Sequence, residues 1–290
     1  MTGPAPAWQE LGLPGLVDVH VHVLPPNVER KVWAYFEGAD SNYGRAWPVT
    51  YGWPLDERRA ELAALGVRAY PGLVYPHKAA MAEWLTGWAM EYAEATPEVV
   101  PSATFFPEPG AVDYVAAAIA RGARVFKAHL QVGGYDPRDP LLDGVWGTLA
   151  DAGIPVVTHC GDGPVPGPFT GAGPIGEVLA RHPGLRVVIA HAGLPRYADF
   201  LDLAARYPSV MLDTTMAFTD FSEETAPFPR ERLPELRDLG LAGRVLLGSD
   251  FPTIPYRYDH QIEALVQLDL GDDWLRQVLW TAPAAVLEIR

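Results

Sequence analysis

The sequence is poor in cysteine, in basic residues and in long apolar runs. Its single cysteine, Cys160, excludes a disulfide within the chain. Lysine and arginine number 22 against 36 aspartate and glutamate residues, and the resulting net charge of −14 would repel nucleic-acid phosphates and anionic membrane surfaces. Glycine, proline or charge interrupts every apolar run within about ten residues, whereas a membrane helix needs ~20. We therefore expect binding neither to nucleic acid nor to membranes.

The composition is otherwise that of a globular protein. Hydrophobic residues make up 49% of the chain and charged residues 20%, which excludes a disordered, collagen-like or coiled-coil protein. The first ten residues contain neither a basic run nor an apolar stretch of signal-peptide length, so we expect a cytoplasmic protein. Because α/β barrels often extend over about 250 residues, we expect one domain over 1–290 rather than two.

Short, almost continuous apolar runs recur along the chain. They do not alternate between apolar and polar residues, which is typical of strands buried on both faces of a parallel sheet. The eight runs cover residues 16–22, 67–74, 99–106, 123–130, 154–159, 185–190, 210–214 and 245–249.

Helical segments are predicted between these runs, over 55–65, 112–121, 141–152 and 174–182. The clearest is 141–152, where Leu141, Val145 and Leu149 recur every four residues and form one apolar stripe. Four glycines stand where a left-handed residue would end a helix before the next run, namely Gly66, Gly122, Gly153 and Gly184. Eight strands alternating with helices favour a (β/α)8 barrel over a large doubly wound sheet.

The segment 23–53 departs from this alternation. It is a long, non-periodic insertion after the first predicted strand, and we expect it to cover the barrel mouth, because it emerges at the C-terminal face. Its aromatic side chains could line a substrate pocket, pack over the helices or form a homodimer contact. They are Trp33, Tyr35, Phe36, Tyr43, Trp47, Tyr51 and Trp53.

Polar side chains end four of the eight runs. The first run contains His20 and His22, which are predicted to face the barrel interior together, because side chains alternate along a strand. The fifth ends at His159, the sixth at His191 and the eighth at Asp250. Since the C-terminal ends of barrel strands meet at one face, the sequence predicts four histidines and an aspartate at the catalytic face of a barrel.

Imidazole and carboxylate groups are the ligands that a zinc-like ion prefers, and three or four of them with one open position form a catalytic site. A single buried histidine is more often a hydrogen-bonded anchor. Burying five such groups together, however, costs several kcal/mol unless something binds them. We interpret the set as a site for a divalent metal ion.

The motifs that carry these residues resemble those of the amidohydrolase superfamily of metal-dependent barrel enzymes. They are VDVHVH at 17–22, THCG at 158–161, IAHAG at 189–193 and GSDFP at 248–252. Within the superfamily, the sequence is most similar to the amidohydrolase-related branch that includes aminocarboxymuconate-semialdehyde decarboxylase and related carboxy-lyases and lactonases. The resemblance covers nearly the whole chain, with the motifs in the order of the family.

The resemblance implies a role for each of these residues. His20, His22 and His159 match metal ligands, and Asp250 matches a ligand that also transfers protons. His191 matches a histidine that acts as acid or base and contacts the substrate in mononuclear members, and that binds a second ion in binuclear members. One divalent ion is expected, with zinc as the leading candidate.

Other polar residues have more than one interpretation. Lys127 stands where binuclear members carry a carboxylated lysine that bridges two ions, although we favour a lysine paired with Asp250 or another carboxylate. His129 shares the strand face of Lys127 and could contact substrate or anchor a loop. His77 could bind an anionic group or lie in a solvated loop, and Trp53 is a candidate for the substrate pocket. Cys160 is expected to pack, because alternation turns it away from the metal.

Two reactions on a small-molecule substrate fit this site. The first is hydrolysis of an amide, ester or lactone by a metal-activated water, with Asp250 and His191 handling protons. The alternative is nonoxidative decarboxylation, which needs a cation near the metal to bind an anionic substrate. Candidates for that cation are Lys127, Lys78, Arg196 and Arg257. A binding barrel without turnover is a third reading, which the presence of both His191 and Asp250 disfavours.

Overall fold

The computed structural model describes residues 6–289, so the start of the N-terminal segment and Arg290 lie outside the described residues. Short strands alternate with helices along the chain. The strands are β1 Leu16–Val17, β2 Val21–His22, β3 Val67–Leu73, β4 Val99–Val100, β5 Ser102–Thr104, β6 Val125–His129, β7 Val156–His159, β8 Val187–Ile189, β9 Val210–Asp213 and β10 Val245–Leu246.

The α-helices are α1 Ala7–Glu10, α2 Pro26–Glu37, α3 Ala39–Tyr43, α4 Leu55–Ala64, α5 Ala82–Ala95, α6 Ala111–Arg121, α7 Leu130–Gly133, α8 Pro140–Ala152, α9 Ala172–Arg181, α10 Tyr197–Arg206, α11 Asp220–Glu223, α12 Leu233–Leu241, α13 Tyr258–Gln267, α14 Asp272–Arg276 and α15 Ala282–Val286. Ala190–Gly193 and Arg230–Arg232 are 3₁₀ turns, and Gln277–Thr281 is a π turn. None of the described helices has both the length and the apolar character that a membrane span requires.

The strands have the parallel order of a (β/α)8 barrel. β10, β9, β8, β7, β6 and β5 follow one another in one sheet, and β1, β2 and β4 pair with β3 in the other. Backbone hydrogen bonds join the first strand to the last, from Val19 N to Leu247 O at 2.8 Å and from His22 N to Phe251 O at 2.8 Å. The predicted fold is therefore confirmed, with β1 and β2 sharing the first strand position and β4 and β5 the third.

Helix ends are as the sequence predicts at three of the four glycines. Gly122 and Gly153 have φ of 108° and 65° and accordingly end α6 and α8 in the left-handed conformation. Gly66 also has positive φ. Gly184 does not, because α9 already ends at Arg181, before the glycine is reached.

The N-terminal end of the barrel interior is filled by apolar side chains. Valines from successive strands form one buried cluster, and residues of α15 belong to the same cluster. A larger cluster packs between the outside of the strands and the surrounding helices, with Trp146 of α8 among its buried members. Because apolar groups occupy the lower barrel, the polar strand ends collect at the opposite, C-terminal face.

Residues 23–53, which we call the cap, lie over that C-terminal face. Trp47 Nε1 donates a hydrogen bond to Thr253 O at 2.7 Å, and Arg45 donates to Glu224 at 2.7 Å. Contrary to the expectation of a non-periodic segment, the cap contains α2 and α3. Pro26 at the first position of α2 supplies a helix-compatible φ, and the 12-residue helix follows.

Candidate functional site

The first strand is interrupted between β1 and β2, and this break directs two histidines into the barrel. Asp18 Oδ1 accepts a hydrogen bond from His20 N at 2.9 Å, a local side-chain bond that competes with the strand ladder. Both His20 and His22 are buried, with ring centroids 5.1 Å apart. The prediction that the two imidazoles share one face therefore holds, although Val19 also packs inside the barrel.

Asp250 faces both of these histidines from the loop after β10. Its Oδ1 lies 3.0 Å from His22 Nε2 and 3.6 Å from His20 Nε2. His20, His191 and Asp250 each present a ligand atom within 4.8 Å of the others. The Asp250 side chain retains 15% exposure, so water reaches the cluster at this carboxylate.

A second carboxylate, Asp213 at the end of β9, supports the cluster from behind. Its Oδ2 accepts from His20 Nδ1 at 2.9 Å, and its Oδ1 accepts from His191 N at 2.8 Å. With Nδ1 protonated in this way, His20 Nε2 carries the lone pair, and this atom lies on the side of the ring that faces Asp250. Sequence reasoning missed Asp213, although the signal was present, since this aspartate is a polar residue near the end of the seventh apolar run, at 210–214.

Lys127 lies at the centre of the barrel. Its Nζ donates to His20 Nε2 at 2.8 Å, and the side chain is fully buried. Burial lowers the pKa of Lys127 to about 8, against the opposing effect of Asp213 and Asp250. Among residues 6–289 no carboxylate oxygen lies within 4.0 Å of Nζ, so the expected direct pairing with Asp250 or another carboxylate is not formed. Nζ bonds to a histidine nitrogen instead, because Asp213 pairs with His20 and Asp250 pairs with His22.

His129 and His159 extend the site on neighbouring strands. Their rings stack at 4.1 Å, and His159 meets His191 edge-on at 4.7 Å. His159 Nε2 donates to Gly163 O at 2.8 Å. His129 Nδ1 accepts from Val132 N at 3.3 Å at the start of α7, so this residue does anchor a loop as well as facing the cluster.

The electrostatics of the cluster favour neutral imidazoles at His20, His159 and His191 and an ionised carboxylate at Asp250. Burial lowers the pKa of His20 and His159 well below the ordinary value, and that of His191 to about 4. Burial alone would raise the pKa of Asp250, but the hydrogen bond from His22 and the nearby histidines hold it well below its usual range. His191 therefore does not titrate near neutrality as a solvated histidine would; it is neutral at pH 7, since the charged form is poorly solvated inside the barrel.

Two residues of the cluster have strained backbones. His191 has φ of 57° and Asp250 has φ of 70°, both in the left-handed region that favours glycine. Such conformations cost of order 1–3 kcal/mol each and persist where the surrounding structure requires them, often at functional sites. Their occurrence at the ends of two different strands indicates that the positions of these side chains are under functional constraint.

The remaining predicted site residues lie further out. Trp53 is 40% exposed and packs edge-on against Tyr51, and His77 lies in an exposed loop after β3, so the described contacts do not bring either to the cluster. Tyr75 was missed: it lies 5.1 Å from His22 and 4.8 Å from His129 between ring centroids. No periodic signal marks it, because it follows the strand rather than belonging to it.

Of the four candidate cations, only Lys127 belongs to the cluster. Lys78 is exposed. Arg196 lies 3.5 Å from Asp162 and 3.3 Å from Asp199, and Arg257 lies 3.1 Å from Asp259, so both are paired on the surface.

The donor set fits a divalent metal ion. Neutral imidazole nitrogens and an ionised carboxylate are the ligands that zinc and similar ions take, and they already converge. His191 Nδ1 is buried and has no hydrogen-bond partner within the described part of the chain, which leaves a polar atom unsatisfied in the cluster. The residues therefore suit a bound cation.

Three solved structures are similar to the chain over nearly its full length. The uncharacterized TIM-barrel protein Bb4693 from Bordetella bronchiseptica has 19% identity and a TM-score of 0.74, covering 94% of this chain and 99% of that one. The probable 2-pyrone-4,6-dicarboxylic acid hydrolase from Acinetobacter baumannii has 13% identity and a TM-score of 0.65, covering 95% and 100%. The 5-carboxyvanillate decarboxylase from Novosphingobium aromaticivorans, complexed with manganese, has 14% identity and a TM-score of 0.62, covering 100% of both chains.

No curated protein matches the sequence. At these identities the solved structures establish the barrel fold and no more. The family model for amidohydrolases, in contrast, matches residues 17–289, which extends from the first strand to the last described residue and includes every member of the histidine cluster. The similarity predicted from the four motifs is thereby confirmed, and the chain is an enzyme that belongs to the amidohydrolase family.

Proposed function

We propose that this enzyme is a metal-dependent hydrolase that cleaves an amide, ester or lactone bond in a small molecule. The observation that carries the proposal is the convergence of neutral histidines on an ionised Asp250 at the open end of the barrel. A carboxylate that is ionised, partly exposed and next to an unsatisfied histidine can accept a proton from a nucleophilic water.

One divalent ion would be held by His20, His22, His159 and Asp250, the set that the family resemblance implies. His20 and Asp250 also belong to the group whose ligand atoms lie within 4.8 Å of one another; its third member is His191, which we assign to proton transfer. His159 would contribute Nδ1, since its Nε2 donates to Gly163 O. When bound, such an ion polarises a carbonyl group and lowers the pKa of water to about 7. Zinc is the proposed ion, and manganese, which is present in the Novosphingobium decarboxylase, has to be tested beside it.

Side chains of the enzyme transfer the protons and position the groups that do so. Asp250 accepts the proton of the attacking water and returns it to the leaving group. His191, neutral at pH 7, contacts the substrate and receives or passes on a proton. Asp213 bonds to both His20 and the backbone of His191, and so fixes the ring orientation of the one and the position of the other.

The cap supplies the proposed substrate pocket. A cavity of about 460 Å³ lies within it, in the size range of small-molecule sites; its walls are cap residues, and none of them belongs to the histidine cluster. Trp33, Phe36 and Trp47 are among its walls, and Trp47 is bonded to the loop that carries Asp250. The ring centroid of Tyr43 lies 5.7 Å from that of Trp47. Burial raises the pKa of Tyr43, and the negative charge of nearby Asp250 raises it further.

Decarboxylation at the same site is the second candidate, and Lys127 is the observation that favours it. A buried cation beside His20 could bind the carboxylate of a substrate before carbon dioxide is lost. The two reactions differ in product: hydrolysis adds water across one bond, and decarboxylation releases carbon dioxide and leaves a C–H bond.

The test combines metal analysis with paired substrates. Purified protein, with its metal content measured, is assayed on aryl esters, lactones and amides and on carboxylated phenols, with bond cleavage and released carbon dioxide measured separately. Cleavage that is lost in Asp250→Asn and on chelation, and regained with zinc or manganese, supports the hydrolase. Metal-dependent carbon dioxide release without cleavage would replace it with the decarboxylase.

A further inference from the structure

A second cleft lies at the opposite end of the barrel from the histidine cluster. Its volume is about 390 Å³, and its walls come from residues that directly precede β8, β9 and β10 and from the C-terminal π turn and α15. Arg186, Ser209 and Arg244 each stand one residue before a strand, and Gln277 faces them from the π turn. We call this the basal cleft. It takes no part in the proposed reaction.

The two arginines of the basal cleft bond only to neutral groups. Arg244 Nε donates to Val210 O at 2.9 Å, and its Nη2 donates to Tyr207 O at 2.9 Å and to further carbonyl groups nearby. Arg186 Nη1 donates to Gly153 O at 3.0 Å. These bonds leave Nη1 of Arg244 and Nε and Nη2 of Arg186 available as donors.

Neither guanidinium has a carboxylate partner within 4.0 Å among residues 6–289, whereas other arginines of this acidic chain do. Arg138 bonds to Asp136 and Glu177, and Arg232 bonds to carboxylates on two sides. Their pKa values are raised accordingly. Five further arginines of residues 6–289 also lack such a partner, and all but Arg124 are exposed to water: Arg30, Arg68, Arg124, Arg206 and Arg237. The basal pair differs from the exposed four in being half-buried, in a protein whose net charge is −14.

Burial leaves this positive charge poorly compensated. Burial lowers the pKa of Arg244, and no nearby charge opposes this effect. Burial also lowers the pKa of Arg186, although the negative charge of Glu288 opposes part of that shift. Both side chains are half-buried, so water solvates them incompletely. A group that brings negative charge and several acceptor oxygens would relieve this cost, because planar guanidinium groups bind oxyanions through paired, charge-assisted hydrogen bonds.

We propose that the basal cleft binds a phosphate-type oxyanion, either free or as the phosphate group of a small metabolite. Arg186 and Arg244 supply the charge, and Gln277 lies on the cleft wall as a further donor. Ser209 also lines the cleft, but its hydroxyl already donates to Pro183 O at 3.0 Å. The apolar side chains of Met211 and Val286 complete the lining and accommodate a small organic group next to the phosphate. Binding to the folded protein stabilises it in proportion to the logarithm of ligand concentration over Kd.

Isothermal titration with pyrophosphate and inorganic phosphate, at constant ionic strength set by chloride, tests the proposal. We expect saturable binding of one anion at the cleft by the wild-type enzyme, and a Kd about 10-fold or more higher for Arg186→Gln, the usual value of a charged hydrogen bond. Arg186 is the primary variant, because Arg244 also holds the C-terminal end of α10 and its loss could unfold the protein. Arg121→Gln, at a surface pair with Glu94, is the matched control and should bind as the wild type does.

Glu288→Gln should change the affinity for the anion in the opposite direction. Removing this competing carboxylate should tighten anion binding, which no general loss of stability would produce. Asp250→Asn separates the two ends of the barrel, and binding should persist in it. The proposal is overturned if Arg186→Gln binds pyrophosphate as tightly as the wild type, or if binding disappears in Asp250→Asn, which would place the anion at the histidine cluster.

Competition by a phosphate ester gives an independent readout. Glycerol 3-phosphate should displace pyrophosphate from the wild-type protein in the concentration range that titration gives. Its neutral analogue glycerol should not compete. Equal competition by both compounds would contradict recognition of the phosphate group.

Discussion

Single residues at the histidine cluster depend on one another for their protonation states and positions. Asp213 bonds to the ring of His20 and to the backbone of His191, while Asp250 faces the other nitrogen of His20. Asp213 is fully buried and orients the site, whereas Asp250 remains partly exposed, so the two acids have different roles.

His191→Asn is expected to retain one metal ion and to lose about 10²-fold or more of turnover, the usual contribution of a positioned acid or base. The reason is that the four proposed ligands, His20, His22, His159 and Asp250, complete a mononuclear set without it. Metal stoichiometry and turnover are measured on the same preparation. A fall from two ions to one would contradict the mononuclear assignment, and unchanged turnover would remove His191 from the mechanism.

Cys160 is expected to be unreactive in the folded protein. It is fully buried, and burial raises the pKa of its thiol, so the nucleophilic thiolate is not formed at pH 8. A colorimetric thiol reagent should titrate no cysteine in the native enzyme and one after unfolding in guanidinium chloride. Rapid labelling of the native enzyme would show that the interior behind His159 is accessible.

At the scale of elements, the turn after β8 determines where His191 points. His191 and Ala192 have left-handed backbones, and Gly193, with φ of 82°, continues the turn toward α10. A Cβ on Gly193 would lie 2.0 Å from Phe200 Cδ2, which is closer than any real contact. The turn is therefore held by close packing of a glycine against a helix.

Gly193→Ala should lower the free energy of unfolding by about 2 kcal/mol or more, because it combines a positive φ with overpacking. Urea denaturation measures the effect. Gly173→Ala, in α9 with nothing within 4 Å of the added Cβ, is the matched control and should be neutral or stabilising by up to about 1 kcal/mol. Equal effects of the two substitutions would show that packing at Gly193 does not constrain the turn.

The cap is attached to the barrel by a few polar contacts, among them the bond from Trp47 to Thr253 O. Trp47→Phe removes this donor while keeping an aromatic ring, at a cost of about 1 kcal/mol. We expect faster limited proteolysis within 23–53 and a raised KM, with kcat less affected. Trp53→Phe, at an exposed ring, is the control; if it has the same effect, the bond to Thr253 is not what holds the cap.

At the scale of the whole molecule, the barrel separates stability from chemistry. Valines and α15 fill the N-terminal half of the interior, and the titratable side chains occupy the C-terminal half. The fold does not depend on the histidines for its core, since apolar burial is the main favourable contribution to folding. Loss of the ligands should therefore affect the site more than the barrel.

The double variant His20→Ala, His22→Ala should bind no stoichiometric metal under conditions in which the wild type does. Elemental analysis after gel filtration measures this, and circular dichroism verifies that the barrel is retained. His77→Ala, in an exposed loop, is the control and should keep its metal. Full metal content in the double variant would refute the assignment of the first-strand histidines as ligands.

Much of this architecture could be predicted from local patterns. Runs of apolar residues mark strands because both faces of a barrel strand are buried, and polar residues at their ends stand out against such runs. His20, His22, His159, His191 and Asp250 were found in this way. Tyr75 and the basal arginines carry no comparable signal, because a side chain that follows or precedes a strand has no periodicity of its own.

The barrel, the end at which polar groups collect and five members of the cluster were predictable from the sequence, because apolar runs and their order can be recognised in local segments. Which of these groups bond to one another depends instead on how the segments pack. Asp213 behind His20, Lys127 on His20 Nε2 and the neutral state of His191 depend on distances between residues far apart in sequence and on burial, which no local pattern contains. The break at Asp18 and the packing of the cap also depend on contacts between segments: the bond from His20 N to Asp18 Oδ1 interrupts the strand, and Val28 and Val32 of α2 pack against a buried cluster that includes Leu85 of α5.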